Sequence, residues 1–177
     1  MRMLVAAALL AAPAAAQDRS AFHAGTAIPD FGPVASIDQT TPIPADAAFA
    51  VAFDVADPAD PGTRSRALES AARLMNMLVE AGVRKDNIRV AVVVHGGAAK
   101  DLLALAAYAS RHDGAENASA PLIAALLDEG VTIQLCGQSA AAHGIDSADL
   151  LPGIDMALSA MTAHALLQQD GYTLNPF

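Results

Sequence analysis

Apolar and polar positions follow one rhythm up to residue 46 and another after it. In residues 17–46 the apolar side chains stand alone, as Phe22, Ile28, Phe31, Val34 and Ile43, among Gly, Thr, Asp and Pro. Prolines 29, 33, 42 and 44 exclude a continuous helix. The expectation is an extended N-terminal arm over residues 17–46, held by those isolated apolar side chains to the domain or to a neighbouring subunit, with disorder as the competing reading. From residue 47 the apolar residues come in short runs. AFAVAFDV (Ala48–Val55) reads as a buried strand bounded by Pro44 and by DPADPG. Leu68, Ala71, Met75 and Leu78 then recur at helical spacing, with Thr63 as a candidate cap and Gly82 as the stop.

The alternation continues. Ile88–Val94 is a valine-rich strand, and a helical stretch is expected around Lys100 to Ser110. HDGAENAS is a polar loop, and Ser119 and Pro121 open a helix over Pro121 to Glu129 that Gly130 closes. Val131–Leu135 and Ile154–Leu158 give two further strands, Ser159 caps a helix over Ala160 to Gln169, and Tyr172–Asn175 is an edge strand. Apolar strands alternating with helices predict a parallel sheet covered on both faces. The expected fold is α/β, a three-layer sandwich with a mostly parallel, doubly wound sheet of about five strands in a single domain over residues 47–177.

Ahead of the arm, MRMLVAAALLAAPAAAQD reads as a secretory signal over residues 1–16: a basic Arg2, an apolar run, and Ala14-Ala15-Ala16 as the cleavage site. The run is too short for a membrane helix, and no later segment is a plausible span. The expected location is the periplasm or the exterior. The formal net charge of -9 and the absence of clustered Lys and Arg argue against nucleic acid as a partner.

In open parallel sheets, sites form beyond the carboxyl ends of the strands. Two strands deliver polar groups there followed by glycine: Val94-His95-Gly96-Gly97 and Leu135-Cys136-Gly137-Gln138-Ser139. Neighbouring strands would place His95 and Cys136, the only cysteine, on one rim. A short helix starting near Gln138 would favour thiolate over thiol, and a protonated His95 or His143 would act the same way. The same pattern also fits a buried cysteine packed as a small hydrophobe. Zinc would need three or four ligands in short-spaced pairs, and no such pair exists, so no metal is expected. Neither a P-loop, a dinucleotide fingerprint nor a nucleophile elbow is present, and no cofactor is expected. His164 reads as a packing or interface histidine, His23 and His112 as solvated, and Asp54, Asp57 and Asp60 as a solvated turn.

At IRVAVVVHGGAAKDLL, VTIQLCGQSAAAHGI and LLPGIDMALSAMTAHALLQQDGYTLNPF the sequence resembles the DsrE/DsrF-like family of sulfur-relay proteins. The ordered set of strand-H-G, strand-C-G-x-S and a last helix followed by G-Y carries the likeness. It implies a compact α/β sandwich forming homotrimers or hexamers, in which the cysteine matching Cys136 carries sulfane sulfur as a persulfide between a donor and an acceptor protein. On that reading, possible sulfurtransferase chemistry rests on Cys136, with His95 and His143 tuning the thiolate. Gly96, Gly137 and the amides of Gln138 and Ser139 would stabilise the anion. Two alternatives stay open: an oligomeric binding module with an inert cysteine, and a redox-sensing thiol forming disulfides between subunits.

Overall fold

The computed structural model describes residues 18–44 and 46–175; the expected leader over 1–16 lies outside them. In the arm, Phe22–His23 (β1) and Val34–Ala35 (β2) pair antiparallel. Phe49–Val55 (β3), Ile88–Val94 (β4), Thr132–Cys136 (β5), Asp155–Ala157 (β6) and Thr173–Asn175 (β7) form one sheet in the order β6-β5-β4-β3-β7. Every pairing in it is parallel. The helices are Arg66–Glu80 (α1), Leu105–Arg111 (α2), Ala120–Asp128 (α3), Gly137–His143 (α4) and Ala160–Gln169 (α5). No helix among the described residues is long and apolar enough to cross a membrane.

The two faces of the sheet differ in side-chain size. One face carries Val51, Phe53, Val55, Val90, Val92, Val94, Ile133 and Leu135, packed with Leu68, Ala71, Ala72 and Met75 of α1 and with Leu122, Ile123 and Leu126 of α3. Each such branched or aromatic side chain contributes about 1.5–3 kcal/mol on full burial. The opposite face carries Ala52, Ala91 and Val93, all buried, and α5 lies across it from β6 to β7. Alanine there lets one helix approach closely, and Ala163 of α5 is buried in the contact.

The arm lies across α1. Asn76, fully buried in that helix, accepts from the amides of Ala27 (3.1 Å) and Ile28 (2.8 Å). Its Nδ2 donates to the carbonyls of Ile28, Phe31 and Gly32 at 2.9–3.1 Å. One side chain thereby satisfies a turn that has no ladder of its own, and Ile28 and Val34 bury beside it.

Two expected elements form differently. Ser65 caps α1 in place of Thr63, whose hydroxyl donates to the Asp60 carbonyl at 2.7 Å within the preceding turn. The helix expected around Lys100 to Ser110 is broken: Gly96–Leu102 winds as 3-10 helix, and α2 begins at Leu105. The cause is capture of the backbone from outside. Asn117 Nδ2 donates to the carbonyls of Asp101 and Leu103 at 2.8 Å, and Leu151 N–H takes the Leu102 carbonyl at 2.9 Å.

Asp101 is buried and accepts from the Ala59 amide at 3.0 Å, tying the segment after β4 to the turn after β3. Burial pushes its carboxyl up to about 6, against the pull of that hydrogen bond. A raised carboxyl pKa favours the folded state fully only below the unfolded value near 4, and that advantage is lost as pH rises through 6. Asp101→Asn keeps an oxygen for Ala59 and carries no charge. Relative to the parent it is expected to gain up to about 3 kcal/mol above pH 6 and little at pH 4, as read by urea unfolding at the two pH values.

Candidate functional site

Parallel register brings three strand ends to one rim. Val55 pairs with Val94 and Val94 with Leu135, so Asp54, His95 and Cys136 leave the sheet on its α5 side. They line a cavity of about 380 Å³ with Gln138, Ser159, Ala160, Met161 and His164. The walls thus come from β3, the β4 end, the start of α4, and the first turns of α5.

Cys136 is both the last residue of β5 and the cap of α4. The residue after it must be small: a Cβ on Gly137 would lie 2.7 Å from the Ala157 carbonyl oxygen. That close approach lets α4 start against β6. Burial pushes the Cys136 thiol up, but hydrogen bonds outweigh it and leave the pKa lowered. They come from the Ser139 hydroxyl and from the amides of Ser139, Ala160 and Gln138. The Ser139 oxygen in turn accepts from the Gly96 amide at 2.9 Å. Gly96 has φ +55, a left-handed turn that glycine adopts without the steric cost of a side chain. Gly96 therefore acts on the sulfur through Ser139. The Gln138 side chain donates to the Leu158 carbonyl at 3.2 Å, leaving its amide for the sulfur.

Asp54 stands between two histidines. His164 Nε2 is 2.8 Å from Asp54 Oδ1, and His95 Nε2 is 3.2 Å from the carboxylate. Burial pushes Asp54 up, but the hydrogen bonds from His164 and His95, together with their charges, outweigh it and hold the carboxyl below its ordinary value. An ionised carboxylate only accepts, so both rings present Nε2–H to it. His164 Nδ1 is buried and has no hydrogen-bond partner.

Of the residues singled out in the sequence, Cys136, His95, Gly96, Gly137, Gln138 and Ser139 gather at this rim. His143 does not. It is the last residue of α4, exposed, and absent from the cavity lining; a helix of that length carries it about 9 Å along the axis from Gly137. Asp54 and His164, read from the sequence as a solvated turn and a packing histidine, are the polar wall of the cavity. The signal for Asp54 was present as the single charge in AFAVAFDV, one residue before the strand end. His164 gave none, since its partner is distant in sequence. Ser159 and Met161 complete the mouth, with Met161 80% exposed. His112 is half-buried and stacks on Tyr108 at 4.3 Å between centroids. Among the described residues no group of three His, Cys, Asp or Glu is placed to hold a metal ion.

Ser139→Ala removes the hydroxyl donor to the sulfur. The expected result is a several-fold slower alkylation of Cys136 at neutral pH, with the pH midpoint of the alkylation rate moved upward. An unchanged rate–pH profile would show that the hydroxyl does not act on the thiolate.

No curated protein matches the chain. Among solved structures, the chain is similar to MTH1491 from Methanobacterium thermoautotrophicum, titled a protein of unknown function. The TM-score is 0.53 and the identity 21%, over 73% of this chain and 99% of that one. It is also similar to the ychN protein from E. coli, with TM-score 0.51 and 15% identity over 73% of this chain and all of the other. Identities this low speak for the fold, a five-stranded parallel sheet flanked by helices. Residues 47–176 match the model of the DsrE/DsrF-like family, and the chain belongs to that family.

Proposed function

We propose that the protein is a sulfane-sulfur carrier that holds sulfur on Cys136 as a persulfide. The observation that carries this reading is the thiol itself: the sole cysteine, lining a small cavity, with one hydroxyl and several amides directed at its sulfur and its pKa lowered by them. The thiolate attacks the outer sulfur of a donor R–S–S⁻. A Cys136 S–S bond forms as the donor S–S bond breaks, and R–S⁻ leaves with the electron pair. An acceptor thiolate then attacks the terminal sulfur and releases Cys136 as thiolate. No net oxidant is consumed, and one thiol suffices because the second belongs to the partner.

The wall supplies two services. The hydroxyl of Ser139 and the amides of Gln138, Ser139 and Ala160 spread the charge of the thiolate or of the persulfide anion. His95, held by Asp54, presents a ring beside the reacting sulfur that can hold or release a proton, and His164 keeps Asp54 ionised and in place. Residues 1–16 are, on this proposal, removed on export, so the carrier works outside the cytoplasm.

Self-association belongs to the same proposal. Leu158, Met161 and Leu166 are 65–80% exposed around α5. Beside them lies a groove of about 680 Å³ lined by Ala157, Leu158, Leu166 and Leu167, with Gln134, whose Oε1 is buried and unpartnered. An apolar surface of this kind marks a contact between proteins. A trimer or hexamer is expected by light scattering, with Leu166→Glu shifting the mass toward monomer; a monomeric parent would remove this part of the proposal.

The central experiment is intact mass under anaerobic conditions before and after a polysulfide donor. A dithiothreitol-reversible gain of about 32 Da is expected in the parent and none in Cys136→Ser. No gain, with Cys136 shown to be reduced, would overturn the carrier reading and leave an inert thiol in a binding module.

A further inference from the structure

On the other side of the sheet from Cys136, a second cavity of about 520 Å³ opens between the outer face of α1 and the start of the arm. Its charged walls are Arg19, Arg64, Arg66 and Arg73, with Glu69 as the single carboxylate. Four of the chain's ten basic residues therefore meet at one place in a protein of formal charge -9. Random decoration of an acidic surface would pair each guanidinium with one of the many carboxylates, and elsewhere that is what happens. Arg84, Lys85, Arg89 and Arg111 each sit within ion-pair distance of Asp86, Glu129, Asp170 and Asp149. Among the described residues, the cations with no carboxylate partner are Arg19, Arg66, Arg73 and Lys100, and the first three line this cavity.

The cavity is also built. Arg73 Nε donates to the Pro33 carbonyl at 3.1 Å, which orients its guanidinium against the arm. Arg64 lies over the Phe31 ring at 5.2 Å and contacts Glu69 at 2.9 Å. Glu69 is held in turn by the Gly32 amide at 3.4 Å. Asp18, next to Arg19 in the chain, directs Oδ1 to the Ser20 amide instead. Like charges gathered around a concavity raise the local concentration of anions, and planar guanidinium forks match the paired oxygens of an oxyanion.

We infer that this cavity binds a phosphate-type oxyanion, either on a small soluble molecule or on an anionic lipid headgroup. The volume leaves room for more than a bare ion. This site is independent of the sulfur-carrier reading, since none of its residues touches the Cys136 cavity.

The test is titration of the protein with inorganic pyrophosphate by calorimetry, beside co-sedimentation with phosphatidylglycerol and phosphatidylcholine vesicles. Arg19→Gln/Arg66→Gln is the main variant, because neither side chain has a carboxylate partner among the described residues. One-to-one pyrophosphate binding that weakens at least tenfold in this variant, and falls with added salt, supports a soluble ligand. Sedimentation with phosphatidylglycerol alone, lost in the same variant, supports a headgroup. Glu69→Gln should tighten either interaction several-fold, and Lys100→Gln, outside the cavity, should leave both unchanged. Binding to neither probe, or binding that the double variant retains or Lys100→Gln loses equally, would overturn the inference.

Discussion

Register between parallel strands is the constraint on which the rest of this molecule depends. β3, β4 and β5 run level, with Val55, Val94 and Leu135 side by side. Side chains alternate between faces, so Asp54, His95 and Cys136 fall on the same face of the same rim. A slip of one residue in any of the three strands would send its polar group into the branched core on the other side. The valines of β4 make such a slip costly: its last five residues are buried, and both of its neighbours are set against it. The chemistry at the rim therefore draws its geometry from apolar packing several residues upstream.

The two sheet faces divide the labour. The face with α1 and α3 is thick, branched and closed, and the arm adds a further cover that Asn76 holds from within the helix. The face with α5 is thin, built on alanine, and covered by one helix. Small residues there serve the site directly, because α5 must come close enough for Ala160 N–H to reach the Cys136 sulfur and for His164 to reach Asp54. The same thinness leaves Leu158, Met161 and Leu166 in solvent.

Much of the architecture was legible because strand and helix periodicities here agree with the tertiary environment. Ile88–Val94 and Ala160–Gln169 form at the residues their patterns indicate. The helix after β4 could not be read, because Asn117 and Leu151 take its carbonyls from a distance, and no local pattern encodes that. For the site, the glycines after His95 and Cys136 marked the two turns. Position along the chain, however, misled at His143, which shares a helix with Ser139 and yet stands at its far end. Asp54 and His164 are a pair only in space, separated by 110 residues, and periodicity carries no information of that kind. The arginine cavity was hidden for the same reason, since Arg19 and Arg73 lie in different elements.

The thin cover over the site has a dynamic corollary. Hydrogen exchange in a protein of this plan is slowest in the central strand and fastest at the borders of the sheet, where β6 and β7 are short. The cavity is thus a composite: Asp54, His95 and Cys136 stand at the ends of the central strands, whereas Ala160 and His164 ride on a helix whose buried side chain is Ala163. An excursion of α5 away from the sheet would strip one amide from the sulfur and one histidine from Asp54 while opening the thiol to larger molecules. Acid strength and access would then be coupled with opposite sign: the contacts that favour the thiolate are the ones that cover it.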